Sequence, residues 1–195
     1  MSQTKPLHYG IDKCYYALKT AQGYGTPKRL RGATSLTVNP EGDTQIFYAD
    51  NTAYHVTTTN NGRSGSLTLA GMSDEALCDL LGYMIDDNGL VLELADADPS
   101  EFALLFQVET DDAEKPTLFA MYDVKLTRST REHSTKEESV SPNTESFNYT
   151  ATPAEFTLGG RERRVVGAHC DYSETTKETY ESWFTEVVEP SKAAA

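Results

Sequence analysis

Apolar and polar residues alternate along much of the chain, the period of half-buried β-strands. Ser35–Pro40 sets Leu36 and Val38 between polar neighbours, and Pro40-Glu41-Gly42-Asp43 has the composition of a turn. Gln45–Tyr48 and Ala53–Thr59, rich in aromatic and β-branched residues, flank Ala49-Asp50-Asn51-Thr52 and predict a hairpin. The Asn61-Gly62 step within Thr58–Ser66 predicts another tight turn, after which Leu67 and Leu69 resume the alternation over Ser66–Ala70. Further strands are expected at Leu90–Leu94, after an Asp86-Asp87-Asn88-Gly89 turn, and at Phe102–Glu109, Thr117–Thr127, Glu145–Thr152 and Arg163–Tyr172.

Two segments have helical spacing instead. Ser73 is placed to cap the first, Asp74 and Glu75 put negative charge in its first turn, Leu77, Leu80, Leu81 and Met84 form its apolar stripe, and Gly82 marks an early stop. Over Thr176–Val188, the residues Tyr180, Trp183, Phe184, Val187 and Val188 share one face, and Pro190 ends the helix before a frayed tail at 190–195. Residues 128–144 hold almost no apolar side chain apart from Val140 and predict a solvated, flexible loop whose ordering requires a partner. No repeat and no Pro/Gly/Ser linker divides the chain, so a single domain over 1–195 is expected.

A chain of 195 residues buries about 70% of its unfolded surface and needs neither metal nor disulfide to hold a core. Its 17 basic and 30 acidic side chains leave a net charge of −13. That excess repels phosphate, and no Lys/Arg run exceeds the short Lys28-Arg29-Leu30-Arg31, which argues against a reader of DNA or RNA. The longest apolar stretches, such as Phe102–Phe106, are far below the roughly 18 residues of a membrane span, and Met1–Gly10 has no signal-peptide core. A soluble chain made in the cytosol, without a membrane partner, is expected. The charge is also divided: the balance is +3 up to Ala70 and −16 from Gly71 onward, which favours contacts between unlike parts of different copies.

No residue constellation points to catalysis. Cys14, Cys78 and Cys170 are widely separated, and His8, His55, His133 and His169 have no companions at ligand spacing. Asp86, Asp87, Glu93, Asp96 and Asp98 lack the order of a calcium loop and read as a solvated acidic face. Gly23 and Gly25 precede Thr26-Pro27 and not a phosphate-binding helix start, and Ser64 lacks a nucleophile elbow. The glycines Gly62 and Gly65 are read as turn residues, and the Tyr180/Trp183/Phe184 stripe as core. The expectation is a protein that is not an enzyme, with no catalytic, cofactor or metal site.

Three segments taken in order carry a resemblance: Leu36-Thr37-Val38-Asn39-Pro40-Glu41-Gly42-Asp43-Thr44, Phe47-Tyr48-Ala49-Asp50-Asn51-Thr52-Ala53-Tyr54, and Asn60-Asn61-Gly62-Arg63-Ser64-Gly65-Ser66-Leu67. With the helix from Met72 to Leu81, Asp87-Asn88-Gly89 and Phe102–Phe106, they resemble the major tail protein, or tail tube protein, of long-tailed, siphovirus-type phages of Gram-positive hosts. The likeness covers most of residues 5 to 155, and the chain departs from the pattern after Glu155. It implies a mainly β fold with one or two helices, a β-sandwich or incomplete barrel with a flanking α-helix, similar to the tube protein of type VI secretion. It also implies a structural virion protein of the tail, assembled in the host cytoplasm into stacked, hexameric rings. Through that tube DNA passes without being bound. The implied partners are further copies, a tape measure protein inside the tube, and tail terminator and distal tail proteins at its ends. By the same resemblance the hairpin residues Phe47, Tyr48, Ala49, Asp50, Asn51 and Tyr54 form an inter-subunit arm. Part of the −16 then faces the lumen. An acidic β-sandwich binding module, receptor-binding or adhesin-like, is the alternative that the residues leave open.

Overall fold

The computed structural model describes residues 7–128 and 144–191. In chain order the first strands are β1 (His8–Thr20), β2 (Gly23–Tyr24), β3 (Lys28–Leu30), β4 (Ala33–Glu41), β5 (Thr44–Ala49), β6 (Thr52–Thr58) and β7 (Gly62–Leu69). Helix α1 (Asp74–Leu81) follows, then β8 (Met84–Ile85), β9 (Val91–Leu92), β10 (Phe102–Thr110) and β11 (Thr117–Thr127). The last part holds β12 (Glu145–Ala151), β13 (Ala154–Leu158), β14 (Arg161–Val165), β15 (Gly167–Cys170) and α2 (Lys177–Ser182). The fold is mainly β, as expected, and none of its described helices is long and apolar enough to cross a membrane.

One antiparallel sheet in the order β2-β1-β10-β11-β12-β7-β4 dominates, with β3 also on β1 and β15 also on β11. It curls until β4 comes near β1, yet no ladder joins the two among the described residues, so the barrel is incomplete. Two of its register shifts redirect the core-facing side chains. Asp12 pairs with Gln107 and Tyr15 with Leu105, one residue too many on β1, and Lys13 takes a φ of 47° there. The extra residue reverses the parity of inward side chains, so Ile11 is followed by Cys14 and Tyr16 on the same face. In β11 the same happens at Asp123, with φ 46°, which carries the inward series from Met121 to Val124 and Leu126. Beyond this bulge β11 also changes partner: Leu118–Met121 pair with β15 and Val124–Thr127 with β12.

Each face of β10 and β11 has its own core. The concave face buries Phe102, Leu104, Val124, Leu67, Leu69 and Phe147 against Leu77, Leu80 and Leu81 of α1. Burial of one such side chain is worth roughly 1.5–3 kcal/mol. Ser73 caps α1 by accepting from the Ala76 N–H, Gly82 ends it in the left-handed region, and Lys28 reaches Glu75 and Asp79 at 2.7 Å each. Met84 is therefore not on the helical stripe; it lies on β8, about half exposed. The convex face buries Leu105, Leu118, Ala120 and Tyr122 under Phe156, Val165, Tyr180, Trp183 and Phe184. The aromatic stripe is core, as read, but its regular helix stops at Ser182. Beyond it Thr185, Val187 and Val188 are β-branched, and the Val188 carbonyl is taken by the Tyr122 hydroxyl at 2.8 Å.

Other differences have similar local causes. Arg163–Tyr172 is not one strand but holds the end of β14 and the whole of β15, and β13 precedes them. The Asn61-Gly62 step is a bend entering β7 and not a hairpin turn, and Gly65 lies inside β7, without the positive φ of a turn glycine. A Cβ on Gly65 would collide with the Thr37 carbonyl, so the position requires a close approach of two backbones. Of the expected loop at 128–144, residues 129–143 lie outside the described ones, as do residues 192–195 of the tail.

Candidate functional site

The β4–β7 ladder ends at Glu41↔Gly62, and the chain continues beyond it as a separate two-stranded sheet, β5–β6. Hydrogen bonds from Asn61 N–H to the Glu41 carbonyl (2.8 Å) and from Thr59 N–H to the Asp43 carbonyl (2.9 Å) tie the two ladders together. Gly42 makes the bend possible, because a Cβ there would strike the Thr59 carbonyl. The tip is a two-residue turn in which Asp50 and Asn51 have φ values of 50° and 60°, the geometry that matches the twist of paired strands. Six paired residues at about 3.3 Å each make an arm of roughly 20 Å.

Apart from half-buried Ala49, every arm residue is exposed. Phe47 is 64% exposed, Tyr48 64% and Tyr54 74%, with Ile46 and Val56 also about half open. Phe47 and Tyr54 meet edge to face at 6.5 Å, and Ile46 pairs with Val56 across the ladder. A two-stranded hairpin without a third strand or a core is marginal in water, and contiguous exposed apolar side chains mark a surface that another body covers. The six residues singled out in the sequence, Phe47, Tyr48, Ala49, Asp50, Asn51 and Tyr54, thus all lie on this one hairpin. Ile46 and Val56 belong with them and were not singled out, although their β-branched alternation was visible. A second small hairpin, β8–β9, exposes Met84, Ile85, Leu90 and Val91; reading Met84 into the helix hid it.

The groups weighed for chemistry are accounted for otherwise. Asp86 Oδ1 accepts from the N–H groups of Asn88 (2.9 Å) and Leu90 (2.7 Å), and the Leu90 bond above all holds its carboxyl below the usual range. Glu93 meets Arg128 at 3.4 Å. No three His, Cys, Asp or Glu side chains among the described residues gather at metal-binding distance. Burial, with the nearby Asp12 charge, pushes the Cys14 thiol up to about 12, so it is protonated and inert at neutral pH. His8 and His169 both pack on the Phe119 ring, and His133 lies outside the described residues.

What this arrangement offers is contact area. Among solved structures the chain is similar to the tube-terminating cap of the anti-feeding prophage, with a TM-score of 0.46 and 10% identity over 88% of this chain and 100% of that one. No curated protein matches it significantly. A family model described as "phage tail tube protein" matches residues 24–187, which runs past Glu155 through β13–β15 and α2. The chain belongs to the phage tail tube protein family and is a structural component of a phage tail.

Proposed function

We propose that copies of this chain join into rings, six per ring by the resemblance, that stack into the hollow tail tube of a long-tailed phage of a Gram-positive host. DNA passes through the tube into the host cell and is not held there. The observation that carries the reading is the β5–β6 arm, a roughly 20 Å hairpin with apolar side chains on an otherwise uncovered ladder. Free strand edges and uncovered apolar hairpins are hazards in a monomer, and joining them around a ring removes the hazard. The tape measure protein occupies the lumen during assembly in the host cytoplasm, and terminator and distal tail proteins close the ends.

Part of the acidic surplus carried from Gly71 onward lines the lumen, where carboxylates repel the phosphate backbone. Concentrated protein viewed by electron microscopy and sized by sedimentation velocity should give rings or tubes of constant diameter. A monomer or small closed oligomer at all concentrations would instead fit a receptor-binding or adhesin-like module and overturn the reading.

A further inference from the structure

The incomplete barrel leaves a groove of about 950 Å³ between β1, β4, β11 and β15. Ile11, Phe106, Val108 and Phe119 form its apolar floor, and Arg63 and Arg164 stand at its rim. Although the chain carries 30 acidic side chains, none of the groove's lining residues is acidic. Arg63 and Arg164 belong to no ion pair among the described residues; Arg164 faces Glu155 across the β13–β14 ladder without joining it. The groove is also bounded by strand edges that lack a partner among the described residues. Strand β4 pairs only with β7, β15 only with β11, and the first half of β1 only with β10. Such edges accept an added strand.

The arm has the complementary character. Its exposed side chains are aromatic and β-branched, and Asp50 is the one Asp, Glu, Lys or Arg between Thr44 and Thr58. Phe47, Tyr48 and Tyr54 are solvent-exposed, so a molecule's own arm does not fill its own groove. We propose that the groove receives the β5–β6 arm of a second copy, with Phe47, Tyr48 and Tyr54 on the apolar floor and Asp50 against Arg63 and Arg164. This rests on the self-assembly reading and names the surface that receives the arm. Because arm and groove are different surfaces, the contact is head-to-tail and propagates until it closes into a ring.

The test uses two full-length variants that keep the fold's interior intact. Phe47→Asp with Tyr54→Asp disables the arm; Val38→Glu with Arg164→Gln disables the groove, since Val38 is an exposed lining residue and a neutral Gln sets no like charge opposite Glu155. Each variant alone should be monomeric, or assemble only at a concentration at least tenfold above that of the unaltered chain, with an unchanged thermal melt. Mixed, the intact arm of one and the intact groove of the other should form a discrete 1:1 dimer by sedimentation velocity and grow no further. A reciprocal charge exchange, Asp50→Arg with Arg164→Asp in one chain, should restore part of the assembly lost in either single variant. If the unaltered chain forms rings while the groove variant assembles equally well, or the mixture gives no dimer, the groove is not the receptor. If the unaltered chain forms no rings at all, the self-assembly reading fails first.

Discussion

Single residues set the geometry of the sheet at two places where an ordinary strand residue would not fit. Asp123 adopts φ 46°, accepts from the Tyr24 hydroxyl at 2.7 Å and meets Lys19 at 2.8 Å, while its carbonyl accepts from Thr152 N–H. Burial first, and then the bond to Asp123, hold the Tyr24 hydroxyl far above its usual range, so it stays a donor at any physiological pH. Asp123→Val puts a β-branched residue in the left-handed region (about 1–2 kcal/mol) and loses both side-chain bonds, so urea unfolding should show a loss of roughly 2–4 kcal/mol. Asp123→Asn tolerates the same φ and keeps an acceptor for Tyr24, and should lose less than about 1.5 kcal/mol; equal losses would mean the backbone is not what Asp123 supplies. Gly65→Ala places a methyl against the Thr37 carbonyl and the Tyr149 hydroxyl. Because the first obstacle is backbone, β4 must separate from β7, and thermal melting should fall by several degrees or more, as for an overpacked core position (about 1–3 kcal/mol).

Elements differ in how far local sequence determines them. The arm was legible because a two-residue Asp-Asn turn and the alternation on either side are both local, and its bounds moved by only a residue or so. Strand β1 was not, although it pairs with β10 along most of its length: the bulge at Lys13 breaks the alternation, and inward residues run Ile11, Cys14, Tyr16. The groove was illegible for another reason, since it exists only where β11 exchanges β12 for β15, a pairing across some fifty residues of sequence. At this scale the arm should separate stability from assembly. Phe47→Ser with Tyr54→Ser touches no core cluster and should change unfolding free energy by less than about 0.5 kcal/mol, while ring formation monitored by light scattering is lost. The β8–β9 turn provides a pH readout. Asp86 is held below its usual range by folding, so its stabilising contribution is complete above the unfolded value near ~3.9 and fades as pH falls through the lower folded value. Protection of the Leu90 amide, whose N–H donates to Asp86 at 2.7 Å, measured as exchange relative to its intrinsic rate at each pH, should fall only in that acid range, and in Asp86→Ala it should be low at every pH.

At the scale of the whole molecule, the proposed assembly would have to overcome a net charge of −13 on every copy. Two electrostatic effects oppose each other. Attraction between the basic and acidic parts, and between Asp50 and the groove arginines, involves a few pairs at surfaces that are still wet while the copies approach, each worth about 0–1 kcal/mol. Repulsion acts between all the remaining carboxylates and extends over a Debye length of about 10 Å at 0.1 M salt and about 30 Å at 0.01 M. The apolar part of the proposed contact, Phe47, Tyr48 and Tyr54 against the groove's apolar floor, would be insensitive to screening. Repulsion therefore wins at low ionic strength. The concentration needed for ring formation should fall as salt rises from about 0.01 to 0.15 M and fall again as pH is lowered toward the pI of about 4.7. Sedimentation velocity across that series distinguishes the two effects, because an interface held mainly by ion pairs would dissociate with added salt. The Asp50→Arg variant sharpens the comparison: it lowers the net charge to −11, yet should assemble less well at every salt concentration, because it sets a cation against the groove arginines.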